Sequence, residues 1–176
     1  MKKRDELINA CINFLALVKD KTAGTETENW LNAHYGPDSE TYRYIAERVI
    51  EGVAEGWLAN VEISGEHYRR SRLCEPSADT FYFSMTAVYM NSRSHEMNNV
   101  DHSFRGDYHR HPYGELNMVI PLDKDAMLAG PQGWQGAGWT APAPGSQHFP
   151  EVKGGALIAF FFLPAGRIAY DVRDNP

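Results

Sequence analysis

Residues 106–117 read Gly-Asp-Tyr-His-Arg-His-Pro-Tyr-Gly-Glu-Leu-Asn, which places metal-binding residue types in the spacing His-x-His-x3-Glu. A β-strand sends alternate side chains to the same face, so we expect His109 and His111 to project together. The turn-forming residues 112–114, Pro-Tyr-Gly, allow a tight corner that brings Glu115 back to the same side. The spacing therefore predicts that two imidazoles and one carboxylate converge on one ion.

A fourth candidate ligand, His148, ends the run Gly-Trp-Thr-Ala-Pro-Ala-Pro-Gly-Ser-Gln-His, in which Gly145 precedes it by three residues. We expect His109, His111, Glu115 and His148 to bind one divalent metal ion. Imidazole and carboxylate suit several transition metals, so the ligand set alone does not choose among zinc, iron and manganese. Four protein ligands leave room for water or substrate on an ion that accepts five or six, and an open position is typical of a catalytic site.

The composition limits which classes of partner the chain can bind. Its 176 residues fit one domain, and a formal net charge of −6 argues against nucleic-acid binding, because phosphate contacts need a basic face. No segment approaches the roughly 20 apolar residues that cross a bilayer. Cys11 and Cys74 form no CxxC pattern, which indicates a reduced intracellular protein. We therefore expect a cytoplasmic protein with neither a nucleic acid nor a membrane as partner.

The first third of the chain has helical patterns. Apolar residues follow helical spacing over residues 4–19, and a second short helix is expected at about residues 26–33. Asp38 or Ser39 is placed to cap a third helix that runs to about residue 55.

After Trp57 the chain changes to short runs rich in aromatic and β-branched residues, separated by Gly, Pro, Asn and Asp, which is a strand pattern. We therefore expect a mainly β protein in one compact unit. An N-terminal helical segment, residues 1–57, would pack on an antiparallel β-barrel, residues 58–176. The last strand is expected at residues 166–171, and the polar residues 91–102 are expected to form a flexible flap over the barrel mouth.

The two histidine segments resemble the paired motifs of the cupin superfamily, in which the first supplies His, His and Glu and the second supplies a third His. The resemblance implies a cupin-like antiparallel β-barrel, or jelly roll, with a metal ion inside it. The sequence departs from the family pattern at turns, since Leu122 stands where the first motif usually closes with glycine. These departures affect loop geometry rather than the ligands.

A narrower resemblance covers most of the chain. The helical N-terminal portion, the cupin-like motifs, residues 144–155 (Pro-Gly-Ser-Gln-His-Phe-Pro-Glu-Val-Lys-Gly-Gly) and residues 161–170 (Phe-Phe-Leu-Pro-Ala-Gly-Arg-Ile-Ala-Tyr) together resemble the 4-hydroxylaminobenzoate lyase family of nitroaromatic degradation. The resemblance implies a lyase that converts a small aromatic hydroxylamine carboxylate, 4-hydroxylaminobenzoate, into 3,4-dihydroxybenzoate and ammonia.

If 4-hydroxylaminobenzoate is the substrate, further roles can be predicted for individual residues. Glu115 would be a metal ligand first and a proton carrier second. The substrate carboxylate needs a cationic partner, and arginine suits it through two parallel hydrogen bonds, so Arg72 and Arg105 are the candidates. Asn117 shares a strand face with Glu115 and is expected either to contact the substrate or to orient a ligand.

Two other functions fit the same ligand pattern. An iron-dependent cupin dioxygenase would need ferrous iron and would consume oxygen, and a non-catalytic cupin would bind a small molecule without turnover. We expect a homodimer.

Overall fold

The structure, a computed structural model, describes residues 2–93 and 103–172. Most of the predicted flap, residues 94–102, lies outside the described residues. Three helices come first in the chain and strands follow, as the sequence pattern predicts.

The helices are α1 (Lys2–Val18), α2 (Thr25–His34) and α3 (Glu40–Glu55). The predicted cap of α3 is confirmed at Ser39, whose side-chain oxygen accepts a hydrogen bond from the backbone N–H of Tyr42. Among the described residues, no helix is both long and apolar enough to span a lipid bilayer.

Twelve strands follow the helices among the described residues. In chain order they are β1 (Val61–Glu62), β2 (Tyr68–Cys74), β3 (Phe83–Asn91), β4 (Ser103–Arg105), β5 (His109–His111), β6 (Leu116–Pro121), β7 (Met127–Gly130), β8 (Gly133–Gln135), β9 (Gly138–Thr140), β10 (Ser146–His148), β11 (Glu151–Lys153) and β12 (Ala156–Pro164).

The mainly β, antiparallel class with an N-terminal helical segment is confirmed. The strands form a six-stranded sheet in the order β1-β2-β3-β12-β6-β9, a four-stranded sheet in the order β4-β11-β7-β8, and the ribbon β10-β5. The sequence pattern predicts closure into one barrel. In the part of the chain that the structure describes, the strands instead remain three sheets, because several of them have only three residues and their hydrogen-bond ladders do not join.

The six-stranded sheet is covered on one face by the helices. Phe14 of α1 packs against Trp139 of β9 and Phe162 of β12, with ring centroids 5.1 and 5.6 Å apart. Asn32 of α2 fixes the helices to the sheet edge, because its amide N–H donates to the Trp139 carbonyl at 3.0 Å and its oxygen accepts from the Trp139 backbone N–H at 2.8 Å. This face forms the larger hydrophobic core.

The opposite face of the same sheet forms a second hydrophobic cluster with residues of the four-stranded sheet, which include Leu128 and Val152. The prediction of a strand at residues 166–171 is wrong. Ala165 and Gly166 adopt left-handed backbone conformations, with φ of 55° and 64°, and turn the chain away from β12. Among the described residues, the segment pairs with a strand only through Ala169, which is opposite Arg110, and it lies beside the second cluster.

Candidate metal centre

The ribbon of β5 and β10 positions three of the four predicted ligands. His109 and His111 are two residues apart on β5 and both side chains are buried, which agrees with the predicted alternation. His148 of β10 lies directly opposite His109 in the antiparallel register. All three imidazoles therefore project from one face of the ribbon.

The imidazoles converge through one nitrogen each. The Nε2 atom of His111 lies 3.0 Å from Nε2 of His109 and 3.0 Å from Nε2 of His148, and the third side of the triangle, between His148 and His109, is 3.1 Å. The His148 side chain is partly exposed, whereas His109 is 6% exposed and His111 fully buried, so the cluster opens on one side.

The protonation of this cluster suits a metal ion. His109 Nδ1 lies 2.8 Å from the Asp107 carbonyl oxygen, which can only accept, so Nδ1 carries the proton and Nε2 presents a lone pair. Burial lowers the pKa of His109, of His148 to about 4 and of His111 to about 2, which keeps the rings neutral at physiological pH. Neutral nitrogens packed this closely repel one another unless a proton or cation lies between them, and the donor set fits a divalent transition metal.

Glu115 lies behind the cluster. Its Oε2 is 3.4 Å from Nδ1 of His111, the ring nitrogen that points away from the three Nε2 atoms. The compact group of possible metal ligands contains the three histidines without it. Burial raises the pKa of the Glu115 carboxyl to about 8. In this position the carboxyl can orient the His111 ring, in the way carboxylates commonly support metal-binding histidines.

The predicted corner between His111 and Glu115 is present. The His111 carbonyl accepts hydrogen bonds from the backbone N–H of Gly114 at 3.2 Å and of Gly145 at 2.7 Å, which joins the turns after β5 and before β10. Gly114 has φ of +81°, and a Cβ atom there would lie 2.6 Å from Cβ of Ala23. Glycine is therefore required both by the backbone conformation and by the close approach of the helical segment.

The cluster faces a cavity that we call the histidine chamber, whose lining includes His109, Glu115, Asn117, His148 and Phe161. The Asn117 amide N–H donates to Thr140 Oγ1 at 3.2 Å, and its buried Oδ1 has no hydrogen-bond partner among the described residues. Asn117 is thus placed to offer an acceptor to a bound molecule, and its predicted role in substrate contact stays a prediction.

Neither of the two predicted carboxylate-binding arginines lines the histidine chamber. Arg105 is on the surface, where it pairs with Glu151 at 3.2 Å. Arg72 pairs with Glu75 and donates to the Gly166 carbonyl, both at 3.0 Å. The arginine that lines the histidine chamber is Arg70, which the sequence pattern does not single out. The feature of the sequence that could have indicated Arg70 is its position on β2, two residues from Tyr68 and two from Arg72.

The fold and the site together define a mainly β, antiparallel protein with a buried histidine cluster that could hold a metal ion. The model of the 4-hydroxylaminobenzoate lyase family matches residues 9–170, and the chain belongs to that family. It is 76% identical over 171 residues to a 4-hydroxylaminobenzoate lyase of Pseudomonas putida, with 97% of both chains covered. A Nocardioides protein of the same name is 56% identical, covering 98% of this chain and 97% of the relative. The chain is therefore a lyase.

Solved structures with similarity to this chain are more distant. The DMSP lyase DddQ from Ruegeria pomeroyi has 11% sequence identity and a TM-score of 0.40, over 98% of this chain and 99% of that one. A cupin 2 domain-containing protein from Halorhodospira halophila has 17% identity and a TM-score of 0.34, over 66% of this chain and 71% of that one.

Proposed function

We propose that this chain converts 4-hydroxylaminobenzoate into 3,4-dihydroxybenzoate and ammonia with the help of one divalent metal ion. The observation that carries the proposal is the convergence of three neutral imidazole nitrogens within 3.1 Å of one another at a largely apolar chamber. The names of the Pseudomonas and Nocardioides relatives support the choice of substrate.

The proposed reaction balances with one water molecule. The N–O bond breaks and its oxygen leaves as water. One water then adds to the neighbouring ring carbon and another hydrolyses the resulting imine to release ammonia, so the net consumption is one water. The nitrogen is reduced and the ring is oxidised within one molecule, so no external oxidant is needed. This balance distinguishes the lyase from the alternative dioxygenase.

The metal, zinc, iron or manganese, would be held by Nε2 of His109, His111 and His148. Glu115, whose Oε2 lies beside Nδ1 of His111, stays a predicted further ligand. A divalent ion bound there would supply Lewis-acid polarisation of a substrate oxygen. Other groups of the chain orient the metal-binding rings. The Asp107 carbonyl fixes the His109 ring through the hydrogen bond to Nδ1, and Glu115 lies against the other nitrogen of His111.

Glu115 is also the proposed proton carrier. Burial raises the pKa of this carboxyl in the metal-free protein, which favours its protonated form. Glu115 lines the histidine chamber as well as lying beside His111, so it is placed to carry a proton to a leaving hydroxyl group, directly or through water. The apolar walls, which include Phe161 and Leu128, exclude bulk water and strengthen these polar interactions.

An anaerobic assay tests the proposal. Purified protein reconstituted separately with zinc, ferrous iron or manganese is given 4-hydroxylaminobenzoate, and ammonia and the catechol are quantified without oxygen. We expect equimolar products from wild type and near-complete loss in His148→Gln, with His34→Gln as a control outside the cluster. Product formation that requires oxygen would favour the dioxygenase. Retained metal without turnover would favour a binding protein.

A further inference from the structure

Arg70 lies on the chamber face of the six-stranded sheet. It is opposite Val88 of β3 and Val61 of β1, and it lines the histidine chamber together with Tyr68 and Tyr170. Among the described lining residues it is the only arginine or lysine. The chamber therefore contains one permanent positive charge from the chain itself.

This guanidinium has no acidic partner among the described residues. Its Nη1 donates a hydrogen bond to the Tyr170 hydroxyl at 2.5 Å, and its Cζ lies 5.2 Å from the centre of the Tyr170 ring. Arg72 and Arg105, in contrast, each pair with a glutamate. A partly buried cation gains most from an anion, so Arg70 retains an unused capacity for one.

A second space, which we call the side cavity, adjoins Arg70. It measures about 270 Å³, and its lining includes Arg70, Arg72, Thr86, Phe161, Ile168 and Tyr170, of which Arg72 is already paired with Glu75. All of these except Arg72 and Thr86 also line the histidine chamber, so they form a shared wall. Thr86 is 4% exposed, and its Oγ1 has no hydrogen-bond partner among the described residues. Thr86 is two residues from Val88, the partner of Arg70 in the strand register, so its unpaired buried hydroxyl offers the same cavity an additional donor for an anion.

The sizes of the two spaces point to joint use. The histidine chamber measures about 40 Å³. Pockets for small molecules typically measure roughly 300–1,000 Å³, a range that the chamber and the side cavity reach only together. A benzoate ring beside the histidines therefore needs space from both cavities, and Arg70 lies on the wall that they share. A ring with nitrogen at one end and carboxylate at the other matches this order of groups.

We propose that Arg70, held by Tyr170 and assisted by Thr86, binds the substrate carboxylate and so directs the nitrogen of the ring to the histidine cluster. This inference rests on the proposed function for the identity of the substrate. It assigns to Arg70 the role that the sequence suggests for Arg72 or Arg105. A fork of two parallel hydrogen bonds is the strongest way for a single side chain to recognise a carboxylate.

The test compares two unreactive ligands, 4-aminobenzoate and aniline, by calorimetry on metal-free and metal-loaded protein. We expect Arg70→Gln to weaken binding of 4-aminobenzoate by about ten- to a hundredfold and to leave metal content and aniline binding unchanged. Arg69→Gln is the matched control, because Arg69 is on the other face of β2 and stacks on Tyr89 at 4.3 Å. Arg70→Lys keeps the charge without the planar fork, and we expect an intermediate loss.

Thermal unfolding checks that each variant folds. If Arg70→Gln does not fold, the Arg70→Lys variant still decides the test. Wild-type affinity for 4-aminobenzoate in a folded Arg70→Gln variant, or equal affinity of wild type for both ligands, would overturn the assignment. The binding measurement needs no turnover. Arg70-dependent binding without ammonia release would reject the proposed reaction alone, whereas ammonia release with binding independent of Arg70 would reject the arginine alone.

Discussion

The Nε2 atoms of His109 and His148 lie 3.1 Å apart, although 39 positions separate the two residues in the sequence. The register of β5 and β10 creates this contact, because it sets the residues opposite each other in a ribbon of only three residues per strand. The site therefore depends on the turns that fix this register as much as on the histidines.

The first prediction concerns metal content. Replacement of His109 and His111 together with Ala is expected to reduce bound metal from one ion per chain to near zero while the protein still folds. The two hydrophobic clusters, rather than the imidazoles, hold the sheets together. Elemental analysis combined with circular dichroism measures both properties, and His34→Ala serves as a control. Unchanged metal content in the folded double variant would reject the proposed metal site. Unfolding of the variant would show instead that the site has a structural role.

The second prediction concerns pH. The pKa values of His111 and His148, about 2 and about 4, lie below their ordinary value of 6.5. The unfolded chain therefore binds more protons, and the free energy of unfolding of metal-free protein falls as pH decreases below about 6.5. Glu115 has the opposite effect. Its pKa is raised from 4.5 to about 8, so its contribution is complete below 4.5 and is lost as pH rises through 8.

Metal-free protein is thus expected to be most stable near pH 6.5, the ordinary pKa of histidine. Urea unfolding in the presence of a chelator at pH 5, 6.5 and 8 would measure this, at values chosen around the histidine and glutamate pKa values. Glu115→Gln should remove the alkaline decline and leave the acidic decline in place. An identical pH profile in the variant would mean that Glu115 does not cause the alkaline effect.

The third prediction separates backbone strain from steric overlap. Gly114 and Gly145 have nearly the same φ, +81° and +82°, but only at Gly114 do neighbouring atoms lie within 4 Å of the position that an added Cβ would take. Gly145→Ala is expected to cost roughly 1–2 kcal/mol from the left-handed conformation alone. Gly114→Ala should cost roughly 1–3 kcal/mol more, because its Cβ would overlap Ala23. Denaturant unfolding measures the difference, and equal losses would contradict the steric explanation.

The fourth prediction concerns the joint between helix and sheet. Asn32→Ala removes both hydrogen bonds to the Trp139 backbone and should lower the free energy of unfolding by roughly 1–3 kcal/mol. Asn29→Ala is the control, since Asn29 is an exposed residue of the same helix that contacts only Gln132 through its side chain among the described residues. If the two variants are equally stable, the hydrogen bonds between Asn32 and Trp139 make no specific contribution to stability.

The histidine pair of β5 could be predicted from the sequence because strand alternation is a local property of the backbone. The pairing of His148 with His109 needed the two-motif pattern, since strand register over 39 positions is not local. Strand alternation could place Arg70 on a face but could not single it out. In the strand Tyr-Arg-Arg-Ser-Arg-Leu-Cys, Arg70 and Arg72 share the face of Tyr68, so alternation does not choose between the two. Whether the sheets close into a barrel depends on distant hydrogen-bond ladders in the same way.

Strand β12 has a practical consequence for altering the substrate range. Phe160 and Phe162 point into the helix-covered core, whereas Ala159 and Phe161 belong to the cluster on the chamber side. Directed evolution can therefore vary every second position of this strand to reshape the binding space while the intervening positions keep the protein robust. A library that randomises consecutive residues would change both the binding space and the helix-covered core. Most of its members would then misfold before their catalysis could be measured.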